Sequence, residues 1–398
     1  MTASIAADLR PAVSSTKGRV RSRVTSVDLV RGIVMILMAL DHTRDYFSKL
    51  HFQPEDLTKA TPFLFATRWI THFCAPTFFL LAGVGAALAV SGGRSKKEIS
   101  KFLLTRGLWL IVLEVTVSSL GWNFRLGFPL ILLVIWALGL SMVILSALVF
   151  LPQKVIAAIA LITIAGHNLL DNVGRASMSG GGPLWHLLHQ PGLVSPAPLI
   201  IVGYPIIPWF AVMALGFAFG DVFRWEPDRR RKFLLRAGAI SIFAFIAIRF
   251  LNQYGNPAPW SAQKTAALTV ASFLNAAKYP PSLDYLLMTL GPTMIALALL
   301  ENARGAFARS VSTYGKVPMF YYLGHLYVIH TLAAVFAMWQ GGSAGFLSLD
   351  TESFPAWYGT TLPGVYLAWA LVILIMYFPC RWFADLKSRR RDWWLSYI

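Results

Sequence analysis

The sequence predicts an all-α polytopic membrane protein, a bundle of about ten transmembrane helices with both termini in the cytoplasm. Of its 398 residues, 56% are hydrophobic and only 13% are charged, and the mean hydropathy is +0.59. This composition excludes an ordinary soluble globular protein. Ten apolar stretches are long enough, or nearly so, to cross a bilayer. The basic residues are also distributed unevenly between the two sets of connections that join these stretches.

The predicted spans are mostly apolar over roughly the 20 residues that cross a hydrocarbon core of about 30 Å. They comprise residues 27–47, 63–91, 102–119, 128–150, 155–169, 203–222, 233–251, 282–301, 317–339 and 362–382. The fifth is the shortest. Residues 266–277 carry apolar side chains at helical spacing but are too polar to span, so they predict an amphipathic helix at the outer surface.

The basic residues predict the orientation of the chain. Most of the 35 Lys and Arg residues fall in the two tails and in alternate connections. The opposite connections contain only Lys49, Lys59, Arg125, Arg175, Lys264 and Lys278. The positive-inside rule therefore predicts basic cytoplasmic tails at 1–26 and 386–398 around a transmembrane domain at 27–385. The net charge of +17 is thus a topology signal with some attraction to anionic membrane lipid, and nucleic acid is not an expected partner.

The first span, 27–47, carries charged groups along one face. As a helix it aligns Asp28, Arg31, Met35, Met38, His42 and Asp45 in one stripe. Arg31 and His42 lie within about 20° of each other around the axis and about 16 Å apart along it. Charged groups inside a span usually face a bundle interior or a water-filled cavity, so this helix is a candidate site.

The histidines indicate where proton transfer takes place. By this topology His325 lies near mid-depth and the others lie in the outer half or in outer loops. We single out His42 and His72, which lie inside spans and have charged neighbours in Asp41 and Arg68, as candidates for a general base. The histidines of the outer loops, His51, His186 and His189, also fit a role as interfacial polar residues.

Asp41 is not expected to pair with His42, because adjacent helical residues point about 100° apart. Its expected partners are charged groups of its own helix or Arg68 on the next. We expect Asp41 and Arg68 to serve as catalytic residues that hold the imidazole and the developing charge, although Arg68 also fits a purely structural role. Glu114, at mid-depth in the third span, predicts an ion pair with Arg31 or Arg106.

No metal site is predicted. The sequence has no HExxH motif and no close carboxylate cluster, and His186 with His189 alone is incomplete. Its two cysteines, Cys74 and Cys380, fall at opposite membrane depths, which excludes a disulfide framework.

Several sequence blocks resemble those of a known protein family. The run Arg23-x-x-Ser26-x-Asp28-x-x-Arg31-Gly32 is followed, ten residues after the glycine, by His42. Four longer blocks follow this run: DHTRDYF, TRWITHFCAPTFFLLAG, KYPPSLDYLLMTLGP and YGKVPMFYYLGHLYVIH. Together with the run, they resemble the transmembrane acyltransferases related to the lysosomal heparan-alpha-glucosaminide N-acetyltransferase, in particular a bacterial branch of that family. The opening is also similar to membrane O-acetyltransferases that decorate bacterial polysaccharides. The blocks cover most of the chain and specify the family more than the substrate.

The resemblance implies transfer of an acetyl group from cytoplasmic acetyl-CoA, across a bacterial inner membrane, to an amino or hydroxyl group of a sugar or glycan. The functional histidine of the O-acetyltransferases carries over to His42. The lysosomal enzyme has asparagine there and its catalytic histidine some eleven residues later, where this chain has only His51, two residues short. The base therefore stays open among His42, His72 and His51.

Basic side chains near the cytoplasmic ends of the spans are the candidates for the donor site. Guanidinium groups suit phosphate recognition, so we expect Arg31 and Arg106, with Lys316, to contact the phosphates of CoA.

Two other classes of protein remain open. Ionisable residues within the spans also suit a secondary transporter or flippase, although the two halves show no inverted repeat. A membrane scaffold explains the spans but not the one-sided histidines. A homodimer stays open.

Overall fold

The computed structural model describes residues 25–127, 129–173, 182–348, 350–390 and 392–398. The N-terminal tail up to residue 24, with Arg23 of the opening motif, and the loop residue Arg175 lie outside these ranges. The α-helices of the described residues are α1 (Thr25–Phe47), α2 (Pro62–Trp69), α3 (Cys74–Ser91), α4 (Lys96–Leu113), α5 (Ser119–Asn123), α6 (Val134–Leu148), α7 (Gln153–Gly166), α8 (Gly182–Leu188), α9 (Ile206–Phe219), α10 (Pro227–Leu251), α11 (Ala266–Leu274), α12 (Leu283–Leu299), α13 (Ala306–Lys316), α14 (Pro318–Trp339) and α15 (Leu362–Arg389).

Short helical turns extend or join several of these helices. A π-helical turn connects α4 to α5 at Glu114–Ser118. The 3₁₀ turns are Ile70–Phe73, His167–Leu170, Gly220–Arg224, Thr351–Ser353 and Trp393–Ser396.

Seven helical segments of the described residues are long and apolar enough to cross a membrane. They are Pro62–Ser91, Lys96–Asn123, Gln153–Leu170, Ile206–Arg224, Pro227–Leu251, Pro318–Trp339 and Leu362–Arg389. Each overlaps a predicted span, including the short fifth. The chain is therefore a mostly helical protein with several helices suited to a bilayer.

The other three predicted spans are also helices, but each is less typical of a membrane segment. α6 has 15 residues and α12 has 17. α1 has 23 residues and carries charged side chains near both ends. Two of these three helices, α1 and α6, line the cavities described below.

A small sheet corrects the all-helical prediction. The strands β1 (Leu130–Leu132), β2 (Gly192–Pro196) and β3 (Leu199–Val202) pair in the order β1-β3-β2, with β1 parallel and β2 antiparallel to β3. The fourth span was predicted from residue 128, whereas α6 begins at Val134. The apolar run of β1 continues directly into the helix, so hydrophobicity alone does not separate the two.

Glycines allow the main helices to approach closely. A Cβ added at Gly83 would lie 1.9 Å from the Met213 carbonyl oxygen, and one added at Gly216 would lie 2.0 Å from that of Leu80. The backbones of α3 and α9 are therefore in direct contact, as small residues permit between membrane helices.

Two connections fold into helices of their own. The amphipathic segment predicted at 266–277 is α11, whose first turn is capped by the Thr265 hydroxyl, which accepts from the Leu268 N–H at 3.2 Å. Its place at a membrane surface stays a prediction. α13, which was not predicted, packs along α1. A Cβ added at Gly315 would lie 1.9 Å from the Asp28 carbonyl oxygen.

The C-terminal residues pack back on the bundle. α15 runs to Arg389, past the predicted start of the tail at residue 386. The Tyr397 and Thr105 hydroxyls are 2.7 Å apart, which ties the chain end to α4. The division into tails and a transmembrane domain remains a prediction.

Candidate functional site

Two cavities lie one above the other along α1. The outer cavity, lined among others by His42, Arg68 and Lys278, has a volume of about 560 Å³. The inner cavity, lined among others by Arg31 and Arg106, has a volume of about 310 Å³. Val134 and Tyr322 line both. We name the cavities after the predicted sides of the membrane. The two cavities adjoin at mid-bundle.

The polar stripe of α1 faces these cavities as its spacing predicts. Arg31, Met35 and Met38 line the inner cavity, and His42 and Asp45 line the outer one. One helix face therefore passes from a guanidinium to an imidazole, about 16 Å apart along the axis.

A buried ion network surrounds Asp41. Its carboxylate contacts the guanidinium groups of Arg44, on the same helix, and of Arg68, on α2. The Thr71 hydroxyl donates to it at 3.1 Å. Arg68 also reaches Glu55 in the connection between α1 and α2, with 2.5 Å between Nε and Oε1. The predicted pairing of Asp41 with Arg68 is thus present, and Glu55 is an additional partner.

The charge state of Glu55 depends on this network. Burial alone would raise the pKa of its carboxyl, but the neighbouring Arg68 and His72 outweigh burial and hold that pKa well below its usual range. The unfolded-state pKa of a glutamate is about 4.3. Because the folded-state pKa is lower, the network contributes stability above that pH, and this contribution is lost as the pH falls.

A break in the helical backbone positions His72. The proline at position 76 has no N–H to donate to the carbonyl of His72, four residues earlier. The chain forms a 3₁₀ turn there, at Ile70–Phe73, and the hydroxyl of Tyr285 donates to the freed carbonyl at 2.7 Å. The His72 ring is 1% exposed and lines the outer cavity, with its Nε2 3.6 Å from Glu55 Oε1.

His42 is held by a second histidine. Its Nδ1 lies 2.8 Å from His325 Nε2, and His325 Nδ1 lies 3.0 Å from the Tyr321 carbonyl oxygen. A carbonyl only accepts, so His325 donates through Nδ1 and, when neutral, accepts through Nε2. His42 then donates through Nδ1, which leaves the lone pair on its Nε2. The arrangement gives His42 the tautomer that a general base needs.

Aromatic side chains enclose the His42 ring. The Trp122 ring meets it edge-on with 4.6 Å between centroids, and the Tyr322 ring is at 6.4 Å. The Tyr46 hydroxyl donates to the Trp122 carbonyl. These contacts fix the position of the imidazole in the wall of the outer cavity.

The inner cavity has apolar walls and basic groups at one end. Phe78, Ala82 and Met142 are among its lining residues, with Arg31 and Arg106. The Arg31 guanidinium lies 3.8 Å from Asp28 and 3.4 Å from the Gly315 carbonyl oxygen. The Arg106 guanidinium donates to the Ser396 carbonyl. An apolar volume ending in two guanidiniums suits an extended chain that carries phosphates.

Two candidate site residues lie outside the two cavities. Lys316 is exposed and lines neither cavity, so it does not join Arg31 and Arg106. His51 lies in a separate small pocket with Leu50 and Phe52, outside the outer cavity.

The predicted ion pair of Glu114 with Arg31 or Arg106 is wrong. Its carboxylate accepts from the Trp136 backbone N–H at 2.9 Å and not from an arginine. The start of α6 lies against it, and a helix N-terminus offers free N–H groups that satisfy a carboxylate.

Several residues of the site were not singled out from the sequence. His325 lies 283 residues from His42, and only its predicted position near mid-depth distinguished it from the other histidines. Glu55 and Lys278 occur in short polar connections, where charged residues are common. Tyr322, which lines both cavities, belongs to an aromatic pair that reads as ordinary packing.

Comparison with known proteins identifies a related family. Residues 23–255 match the family model described as heparan-alpha-glucosaminide N-acetyltransferase, catalytic. The match covers more than half of the chain and extends from the opening motif through α10. A comparison with curated proteins gave no match.

Replacing Arg68 should destabilise the protein strongly. Arg68→Ala removes a cation shared by two carboxylates, and breaking such a buried pair costs about 3–5 kcal/mol. Arg68→Lys should lose less stability, because lysine keeps the positive charge but cannot contact Asp41 and Glu55 at the same time. Unfolding of the purified protein in detergent measures both.

The matched control is Lys59→Ala. Lys59 is 62% exposed and lies 3.6 Å from Asp56, and such surface pairs contribute about 1 kcal/mol or less. Equal stability of Arg68→Ala and Lys59→Ala would contradict the central place of the network.

Proposed function

Because the chain belongs to the family of the heparan-alpha-glucosaminide N-acetyltransferase catalytic domain, we propose that it is a transmembrane acyltransferase. The proposed reaction moves an acetyl group from acetyl-CoA at the inner end to an amino or hydroxyl group of a sugar or glycan in the outer cavity. The observation that carries the proposal is the face of α1, with arginine in one cavity and a positioned histidine in the other.

The proposed topology has ten spans, formed by the seven apolar segments together with α1, α6 and α12. Both termini then lie on one side, which the basic connections favour as the cytoplasm of a bacterial inner membrane. With this orientation the inner cavity opens toward acetyl-CoA and the outer cavity toward the acceptor.

Arg31 and Arg106 would hold the CoA phosphates, since guanidinium binds phosphate through paired hydrogen bonds. The apolar walls of the inner cavity would accommodate the pantetheine arm, which brings the thioester toward His42. Since Lys316 is outside the cavity wall, the donor site rests on the two arginines.

His42 is the proposed base, through Nε2. The acceptor N–H or O–H gives its proton to Nε2 as its nitrogen or oxygen bonds to the thioester carbonyl carbon. The C–S bond then breaks, and the proton on Nε2 is available to the departing thiolate. His325 is the positioning residue, because its hydrogen bond sets the tautomer.

A second route uses the same atom. Nε2 attacks the thioester carbonyl carbon, and the C–S bond breaks as the CoA thiolate leaves. The acceptor nitrogen or oxygen then bonds to the acetyl carbon, the bond from that carbon to Nε2 breaks, and the acceptor proton passes to the freed Nε2. In both routes Asp41 and Arg68 support the wall of the outer cavity, which His72 also lines.

His42→Ala should lower the turnover of acetyl-CoA with amino-sugar acceptors by about 10²–10⁴-fold while leaving acetyl-CoA binding unchanged, because it removes the proton acceptor alone. Purified protein in detergent, assayed by thiol release and by donor binding, gives both quantities. His325→Gln should reduce turnover less and shift its pH profile.

His72→Ala is the matched comparison in the same cavity. Loss of turnover in His72→Ala with retention in His42→Ala would place the base at His72. Absence of any affinity for acyl-CoA in the wild type would reject the acyltransferase and favour a secondary transporter or flippase.

Arg31→Gln and Arg106→Gln should each weaken acetyl-CoA binding by about tenfold or more, the loss expected for a hydrogen bond to a charged group. Acetyl-pantetheine, which carries no phosphate, should bind the variants and the wild type alike. Equal losses for both donors would show that the arginines shape the cavity and do not bind phosphate.

A further inference from the structure

Three potential metal ligands meet outside the two cavities. His167 begins the 3₁₀ turn that follows α7, Asp171 comes directly after that turn, and His189 follows α8. One ligand atom from each lies within 4.8 Å of the others, and the three residues are buried. His189 Nε2 is 3.0 Å from Asp171 Oδ1.

Three of the four ring nitrogens of His167 and His189 lack hydrogen-bond partners among the described residues. Both ring nitrogens of His167 and the Nδ1 of His189 are buried without one. His167 is only 2% exposed. A neutral imidazole carries one donor and one acceptor, and leaving them unsatisfied in the interior is costly.

We propose that His167, Asp171 and His189 bind a divalent transition-metal ion, with Zn²⁺ the best fit. Two imidazoles and a carboxylate are a common ligand set for zinc, which binds them at about 2.0–2.2 Å. To bind the ion, the three ligand atoms, which lie within 4.8 Å of one another, have to move closer together. The sequence suggested no such site, because His167 and His189 are separated by a loop and Asp171 was not paired with them.

Neighbouring hydrogen bonds hold the ligands and couple them to the outer end of the bundle. The Asn168 amide donates to Asp171 Oδ2 at 2.9 Å, and its carbonyl oxygen accepts from the Leu283 N–H at 2.9 Å. The Gln190 amide donates to the Asp171 carbonyl at 3.0 Å. Metal ligands are ordinarily oriented by such second partners.

The role assigned to the ion is structural. Leu283 begins α12 directly after the connection that carries Lys278 and Tyr279 into the outer cavity. A metal ion would therefore fasten this connection to α7 and α8 and hold the outer cavity in shape.

Metal analysis of the full chain, with any purification tag removed, tests the site. Protein grown with Zn²⁺ and dialysed should retain about one ion per chain. His167→Ala and His189→Ala should each lose it, whereas His186→Ala, a neighbouring histidine outside the cluster, should keep it. The element detected distinguishes zinc from iron.

The wild type alone provides a second measurement, should a variant fail to fold. Chelation should lower its Tm by about 5 °C or more, and Zn²⁺ should restore it. Less than about a tenth of an ion per chain with no effect of Zn²⁺ on Tm would overturn the proposal. So would an unchanged metal content in a folded His167→Ala or His189→Ala variant.

Discussion

The ionic contacts of Asp41 are the constraint on which the rest of the structure depends. A carboxylate at this depth is tolerated only when its desolvation is offset, and two guanidiniums and a hydroxyl do so here. Arg68 ties α1 to α2, and through Glu55 it also fixes the connection between them. The next turn of α1 carries His42 and Asp45 into the outer cavity. The same contacts that fasten the helix therefore position the proposed base.

The polar face of α1 explains how one bundle can serve two chemically different sites. In the proposed function, the guanidiniums of the inner cavity favour a phosphorylated, extended donor, whereas the His42 imidazole in the outer cavity favours proton removal. Val134 and Tyr322, shared by the two cavities, mark where donor and acceptor would meet. Charges that would be costly in lipid thus face the cavities and each other, as membrane proteins require.

Much of this could be predicted from the sequence, because helical periodicity and charge are local signals. The stripe from Arg31 to Asp45, the seven apolar segments and the contact of Asp41 with Arg68 followed from them. The sequence did not predict the small sheet that includes Leu130, the pairing of His42 with His325 or the partner of Glu114. These contacts join residues far apart in the chain or depend on where a helix starts, and neither is encoded in a local pattern. The cluster of His167 with His189 was missed for the same reason.

The most direct test of the central claim is vectorial transfer in proteoliposomes with one orientation of the chain. Radiolabelled acetyl-CoA is supplied on the side of the N- and C-termini, and an amino-sugar acceptor is enclosed on the other side. The account predicts labelled acetylated sugar on the acceptor side and free CoA on the donor side, with neither formed when the two sides are exchanged. Transfer that requires both substrates on one side would contradict it, as would movement of the sugar across the membrane without consumption of acetyl-CoA.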